Sequence, residues 1–165
     1  ELSITINKSN LTIQGQGQNT TILEAAATQA SAADRIFVVN ATIVVTIQDL
    51  TIRHGNSTGR GGAILLNLNC SASLKRVTLT NNDSVNDGGA IASASGSSGI
   101  VLDMEECIVS NNNGGVADVN ADGGGIYSAG GNTTLTRCSV INNQCGDDGG
   151  GVYIAQNLSV NSKLF

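Results

Sequence analysis

The chain has 165 residues, no proline, 2% aromatic residues, 21 glycines and a formal net charge of −5. A core of this size ordinarily leans on aromatic side chains, so this one must be assembled from Ile, Val, Leu and Ala in thin, regular layers. The acidic balance and a charged content of 13% exclude a nucleic-acid binder, which needs clustered Lys and Arg, and no apolar run reaches the ~18 residues of a membrane span.

Taken in chain order, residues 2–6 already alternate, and Leu11 and Ile13 follow as inward residues of a second short run. Residues 24–33 are alanine-rich and do not alternate; a short helix and an irregular excursion fit them equally. Apolar alternation resumes at residues 36–39, and Ile47, Leu50 and Ile52 mark a longer run. Then a glycine pair or triplet precedes a β-branched residue four times, at Gly61, Gly88, Gly123 and Gly149, with starts 27, 35 and 26 residues apart. After each of the first three motifs comes a strand-like run closing on Asn-Asn, at residues 74–82, 104–112 and 135–143.

Self-similarity at this period marks a stacked architecture in which no single repeat buries a core alone. Aligned on their Asn pairs, Leu74, Val77 and Leu79 fall over Met104, Cys107 and Val109, and those over Leu135, Cys138 and Val140. Alternation turns these inward and Thr51, Thr78, Ile108 and Ser139 outward. A second strand per turn starts at each glycine motif, with Ile64, Ile91, Ile126 and Val152 inward. The expected fold is all-β: a single-stranded, right-handed parallel β-helix of about five turns. Residues 1–165 then form one β-helix segment, broken by the excursion at 24–33. The pattern is already running at residue 2 and no cap closes it at Phe165, so the segment is read as part of a longer chain.

The corners carry the first candidate residues. Asn81, Asn111 and Asn142 occupy one column and are expected to form an asparagine ladder, with Asn82, Asn112 and Asn143 in the next column. His54 and Gly15 are expected to hold the ladder corner in earlier turns.

Gly-Gly-Ala-Ile followed by a strand ending in x-x-Asn resembles the repeats of polymorphic outer membrane proteins. The second motif stands here as Leu79-Thr80-Asn81-Asn82, Val109-Ser110-Asn111-Asn112 and Val140-Ile141-Asn142-Asn143. That family's phenylalanine is missing from every copy, so the likeness is to the wider set of surface β-helix repeats. The resemblance covers about residues 45–155. It implies a secreted or surface protein used in adhesion or as a structural stalk, and it carries over no catalytic residue.

Asp87, Asp122 and Asp148 each precede a glycine motif and should form a column, with Arg60 at its foot. Oxygen-rich clusters suit Ca²⁺, so calcium is the one cofactor the sequence raises; turn preference of Asp is the simpler reading, and no other cofactor is expected. Tyr127 and Tyr153 should point outward on adjacent turns, stacked on each other or available to a sugar or a neighbouring subunit. Cys107 and Cys138 share an inward position in consecutive turns, close enough for a disulfide or for stacked thiols.

Nine Asn-x-Ser/Thr triplets, at Asn7, Asn10, Asn19, Asn40, Asn56, Asn69, Asn82, Asn132 and Asn157, are more than twice the number that the Asn, Ser and Thr content gives by chance. An N-glycosylated extracellular or cell-surface protein explains the excess. The functional expectation is a non-catalytic structural or adhesive rod in a larger surface assembly. Its partners would be other copies of itself or other surface proteins, and glycans. The alternative is a carbohydrate-active enzyme or carbohydrate-binding module. Its faint signals are Asp147-Asp148 and Arg53-His54-Gly55, which alignment sets about three turns apart. The early strands are apolar on both faces, so either residues 24–33 or a partner should cover them.

Overall fold

The computed structural model describes residues 3–155 and the strand at 163–164. Its strands fall into successive turns. Turn one holds β1 (Ile4–Ile6), β2 (Leu11–Gln14) and β3 (Ile22–Glu24). Turn two holds β4 (Phe37–Val39), β5 (Val44–Arg53) and β6 (Asn56–Ser57), and turn three β7 (Ile64–Leu66), β8 (Ser71–Thr80) and β9 (Asp83–Ser84). Turn four is β10 (Ile91–Ser93), β11 (Ile100–Glu105), β12 (Ile108–Ser110) and β13 (Asn113–Gly114). Turn five is β14 (Ile126–Ala129), β15 (Gly131–Thr136), β16 (Ser139–Ile141) and β17 (Gln144–Cys145). β18 (Val152–Ala155) and β19 (Lys163–Leu164) begin another.

Three parallel sheets result. Sheet A runs β1-β4-β7-β10-β14-β18, a long bent sheet B gathers β2, β3, β5, β8, β11, β12, β15, β16 and β19, and sheet C is β6-β9-β13-β17. The chain is a parallel β-solenoid of about five turns.

From the second turn on the inward columns follow the expected register; in turn one Ile13, expected over Ile52, pairs with Ile47 instead. Phe37, Ile64, Ile91, Ile126 and Val152 pair in sequence along sheet A. Ile13, Ile47, Leu74, Met104 and Leu135 do so along one arm of sheet B, and Leu23, Ile52, Leu79, Val109 and Val140 along the other. β3 was not expected, yet its Leu23 extends that last column. Most of these side chains are buried in one continuous aliphatic core, with Ile13, Leu23, Val140 and Val152 at its ends only partly covered.

Corners are made by left-handed residues, a conformation that Asn, Asp and Gly reach most readily. The B–C corner is His54, Asn81, Asn111 and Asn142, with φ of 60°, 52°, 55° and 55°. The bend inside sheet B is Asp49, Arg76, Glu106 and Arg137, with φ of 59°, 49°, 54° and 53°.

The C–A corner needs glycine twice over. Gly88 has φ 68°, and a Cβ there would sit 2.3 Å from the Ile91 carbonyl oxygen. A Cβ on Gly89 would sit 2.3 Å from the Gly124 carbonyl oxygen and 2.4 Å from the Asn113 carbonyl carbon. The first glycine supplies the turn and the second lets sheet C lie against the next strand's entry. That double demand is why the motif is a pair.

Of residues 24–33, Glu24 closes β3 and the rest form an irregular excursion with one 3-10 turn at Gln29–Ser31. It contacts His54 and Asn56 near the B–C corner, where the His54 ring nitrogen Nδ1 lies 3.1 Å from the Ala26 carbonyl oxygen and Asn56 Nδ2 donates to the Gln29 carbonyl at 3.3 Å. These contacts are at the side of sheet C, not over the outward residues Val38 and Leu65 of sheet A. The excursion is therefore not the expected cover for that face.

Candidate functional site

The asparagine ladder lies one residue beyond the expected one. Asn81, Asn111 and Asn142 are exposed corner residues, while Asn82 and Asn112 are 0% exposed. Asn112 Oδ1 accepts from both Asn82 N and Asn82 Nδ2 at 2.9 Å. Asn143 Oδ1 accepts from Asn112 N at 3.0 Å and from Asn112 Nδ2 at 2.9 Å. Below them Gly55 N donates to Asn82 Oδ1 at 3.0 Å.

The physical reason is that the left-handed residue turns the chain, so the next side chain enters the core and must find partners there. Gly15 is also displaced from its expected corner: its N–H donates to the Gln48 carbonyl at 2.9 Å, which places it beside Asp49 at the sheet B bend.

Asp87, Asp122 and Asp148 do form a column, and the backbone uses it. Asp122 N donates to Asp87 Oδ1 at 2.9 Å, and Asp148 N to Asp122 Oδ1 at 3.1 Å. The other oxygen of the buried Asp87 takes Arg60 Nε at 2.8 Å. The carboxylates thus cap the next turn, as the ladder amides do. Among the described residues no group of three His, Cys, Asp or Glu could hold a metal ion.

Tyr127 and Tyr153 stack with ring centroids 5.6 Å apart and planes 6° from parallel. The Arg60 guanidinium lies 4.9 Å from the Tyr127 centroid. Tyr127 is therefore engaged by an aromatic ring and by a cation, and the pair is consumed by self-packing.

Cys107 and Cys138 extend the inward Leu50–Val77 column and carry free thiols. Cys107 Sγ donates to the Leu74 carbonyl at 3.4 Å and Cys138 Sγ to the Met104 carbonyl at 3.4 Å. The neighbouring Cys138 thiol and burial push the Cys107 thiol up, and the Cys107 thiol in turn draws the less buried Cys138 down.

His54, far from Asp148 in the stack, sits 3.7 Å from Glu24 Oε2 and takes no part in a carboxylate pair with Asp147 or Asp148.

The sequons divide by exposure. Asn7, Asn10, Asn69 and Asn132 are exposed, and with the half-buried Asn40 they gather at the corner joining sheet A to sheet B. Asn19 is exposed on the loop after β2, and Asn56 is half-buried on sheet C. Asn82 is a ladder residue whose Nδ2 also donates to the Ile52 and Thr80 carbonyls at 3.3 and 3.2 Å; a glycan there is incompatible with this fold. Asn157 lies outside the described residues.

One site was not signalled by any motif. A cleft of about 380 Å³ lies on the outer side of sheet C, lined by Asn56, Asp83, Asn113 and the start of the loop after β13. Asn56, Asp83 and Asn113 are paired neighbours in one outward column. The loop, residues 115–121, is the extra length of the longest repeat. It is held by Gly115 N donating to the Ser84 carbonyl at 2.7 Å, by the buried Ala121, and by Asp147 N donating to the Ala121 carbonyl at 2.9 Å. Asp83 is half-buried, and burial raises its pKa.

Comparison with protein-family models, with curated proteins and with solved structures finds no match to this chain.

Proposed function

We propose that the chain is a non-catalytic, extracellular or cell-surface β-solenoid rod, structural or adhesive, and N-glycosylated along one edge. The observation that carries this reading is the gathering of Asn7, Asn10, Asn69 and Asn132 as exposed side chains at the corner between sheets A and B. A sequon excess due only to the suitability of Asn and Thr for corners would be spread over all the corners. The resemblance to polymorphic outer membrane protein repeats points the same way. Partners of the rod are other copies of itself or other surface proteins, with glycans. The half-buried outward residues Val38 and Leu65 of sheet A supply apolar area for lateral association.

Two assays on the source organism test the reading. Antibody against the chain should label intact, unpermeabilised cells or their extracellular matrix. Incubation of the purified protein with polysaccharides should release no reducing ends or unsaturated products. An exclusively intracellular signal, or turnover of a polysaccharide, would overturn it.

A further inference from the structure

We propose that the cleft on the outer side of sheet C is a binding site for an uncharged saccharide, with Asn56, Asp83 and Asn113 as its hydrogen-bonding floor. The inference goes beyond the rod reading and needs neither secretion nor glycans on the chain itself.

Both departures from the regular repeat fall on this side of the solenoid. The excursion before β4 reaches Asn56 through the Gln29 carbonyl, and the loop 115–121 walls the cleft. Insertions in a stacked repeat are tolerated where they leave the core, and they tend to build the binding face. The tethers at Gly115 and Ala121 fix this loop, yet its valines are left in solvent: Val116 is 52% and Val119 75% exposed, with Val85 beside them at 55%. Val85 and Val116 line the cleft, so an apolar wall stands over a polar floor. That combination suits a sugar, which offers hydroxyls on its rim and C–H groups on its faces.

The floor is uncommitted. Asn113 makes no side-chain hydrogen bond among the described residues, Asn56 uses only its Nδ2, and Asp83 takes only the neighbouring Ser84 N–H. The rungs are spaced by the strand separation, about 4.8 Å, and together they offer amide donors and carbonyl and carboxylate acceptors. Asp83 is the charged rung in a column otherwise of amides, and among the described residues no cation pairs with it. An amide at this rung would cost the fold less than a half-buried carboxylate, which is the pattern of a residue kept for a ligand.

The charge decides the ligand class. The lining holds Asp83 and Asp118 and no basic residue, which repels uronates, sulfated sugars and phosphates. Asp118 Oδ1 already accepts from Asn120 N at 3.0 Å, so the cleft is not a paired-carboxylate trap for a cationic side chain. The backbone groups of sheet C are paired between turns, which leaves no ladder for an extended peptide to join.

The test uses the full chain made in a host without N-glycosylation, so that Asn56 is bare. It is applied to an array of neutral glucans, mannans and chito-oligosaccharides, their uronate and sulfated counterparts, and an arginine-rich peptide. Retention of a neutral saccharide is expected, with Asp83→Asn and Asn113→Ala each weakening it about tenfold, the loss of one good hydrogen bond. Both variants are checked for a native melting transition, and the side-chain amide NMR signals of Asn56 and Asn113 in the unaltered chain should shift on adding the retained sugar. No retention of any neutral saccharide, retention that survives both substitutions, or retention of the basic peptide alone would overturn the proposal.

Discussion

Replacing Asn112 with alanine removes four hydrogen bonds at the centre of the ladder, and their fates differ. The Asn82 N–H loses the Oδ1 acceptor 2.9 Å away and is left stranded in a 0% exposed position. Asn82 Nδ2 also loses that oxygen but keeps the Ile52 and Thr80 carbonyls. The Leu79 carbonyl loses a donor at 3.1 Å, and Asn143 Oδ1 keeps only the Asn112 N–H. A stranded buried donor costs about 1–3 kcal/mol and each net hydrogen bond about 1 kcal/mol, so Asn112→Ala should destabilise by about 3–5 kcal/mol.

Asn111→Ala is the control. Its side chain is exposed and its φ is 55°, so only left-handed strain of about 1–2 kcal/mol is expected, and Asn111→Gly should remove even that. Urea unfolding followed by far-UV circular dichroism ranks the three variants by midpoint, a comparison that survives departures from two-state behaviour better than an extrapolated free energy. An Asn111→Ala loss equal to or larger than that of Asn112→Ala would refute the ladder as described.

Other outcomes follow from the same geometry. Burial raises the folded-state pKa of Asp83, so its stabilising contribution is present below the ordinary carboxylate range and is lost as pH rises through the raised value; Asp83→Asn should therefore raise the melting temperature at neutral pH, with the difference vanishing in acid, and an unchanged or lower neutral-pH melting temperature would count against it. Gly124→Ala places a Cβ 2.3 Å from the carbonyl oxygens of both Gln144 and Gly150 and should cost about 3 kcal/mol or prevent folding; a native midpoint would show that the corner can open. Alkylation near neutral pH should label Cys138 ahead of Cys107 and of Cys70, whose thiol burial pushes up to about 11; simultaneous labelling of all three would mean that the core is open.

Much of this was legible in the chain, for definable reasons. Stacking at a nearly fixed period forces equivalent residues into columns, so aligning Leu74, Met104 and Leu135 on the Asn pairs recovers the true register. The asparagine pair misled by one position because propensity marks Asn81 as the left-handed residue but says nothing of where the following side chain goes.

A charge column stands at the sheet B bend. Asp49 and Arg76 meet at 2.6 Å, and Arg137 Nη2 lies 3.0 Å from Glu106 Oε1, so alternate signs stack turn upon turn. The signal was present as Asp49, Arg76, Glu106 and Arg137, each two residues beyond an inward column residue, but exposed pairs of this kind carry little energy and leave no mark on hydropathy. The cleft could not be foreseen either. A spacing of 35 residues announces extra length, yet its place depends on which corner the chain leaves from. Residues 115–121 leave after β13, on the side of sheet C.

Glycopeptide mapping of the protein from its native source, site by site, tests the central reading most directly. Occupied glycans are expected on the A–B edge, at Asn7, Asn10, Asn69 and Asn132, and none at Asn82, whose amide is spent inside the ladder. An unmodified edge, or a glycan on Asn82 in folded protein, would contradict it.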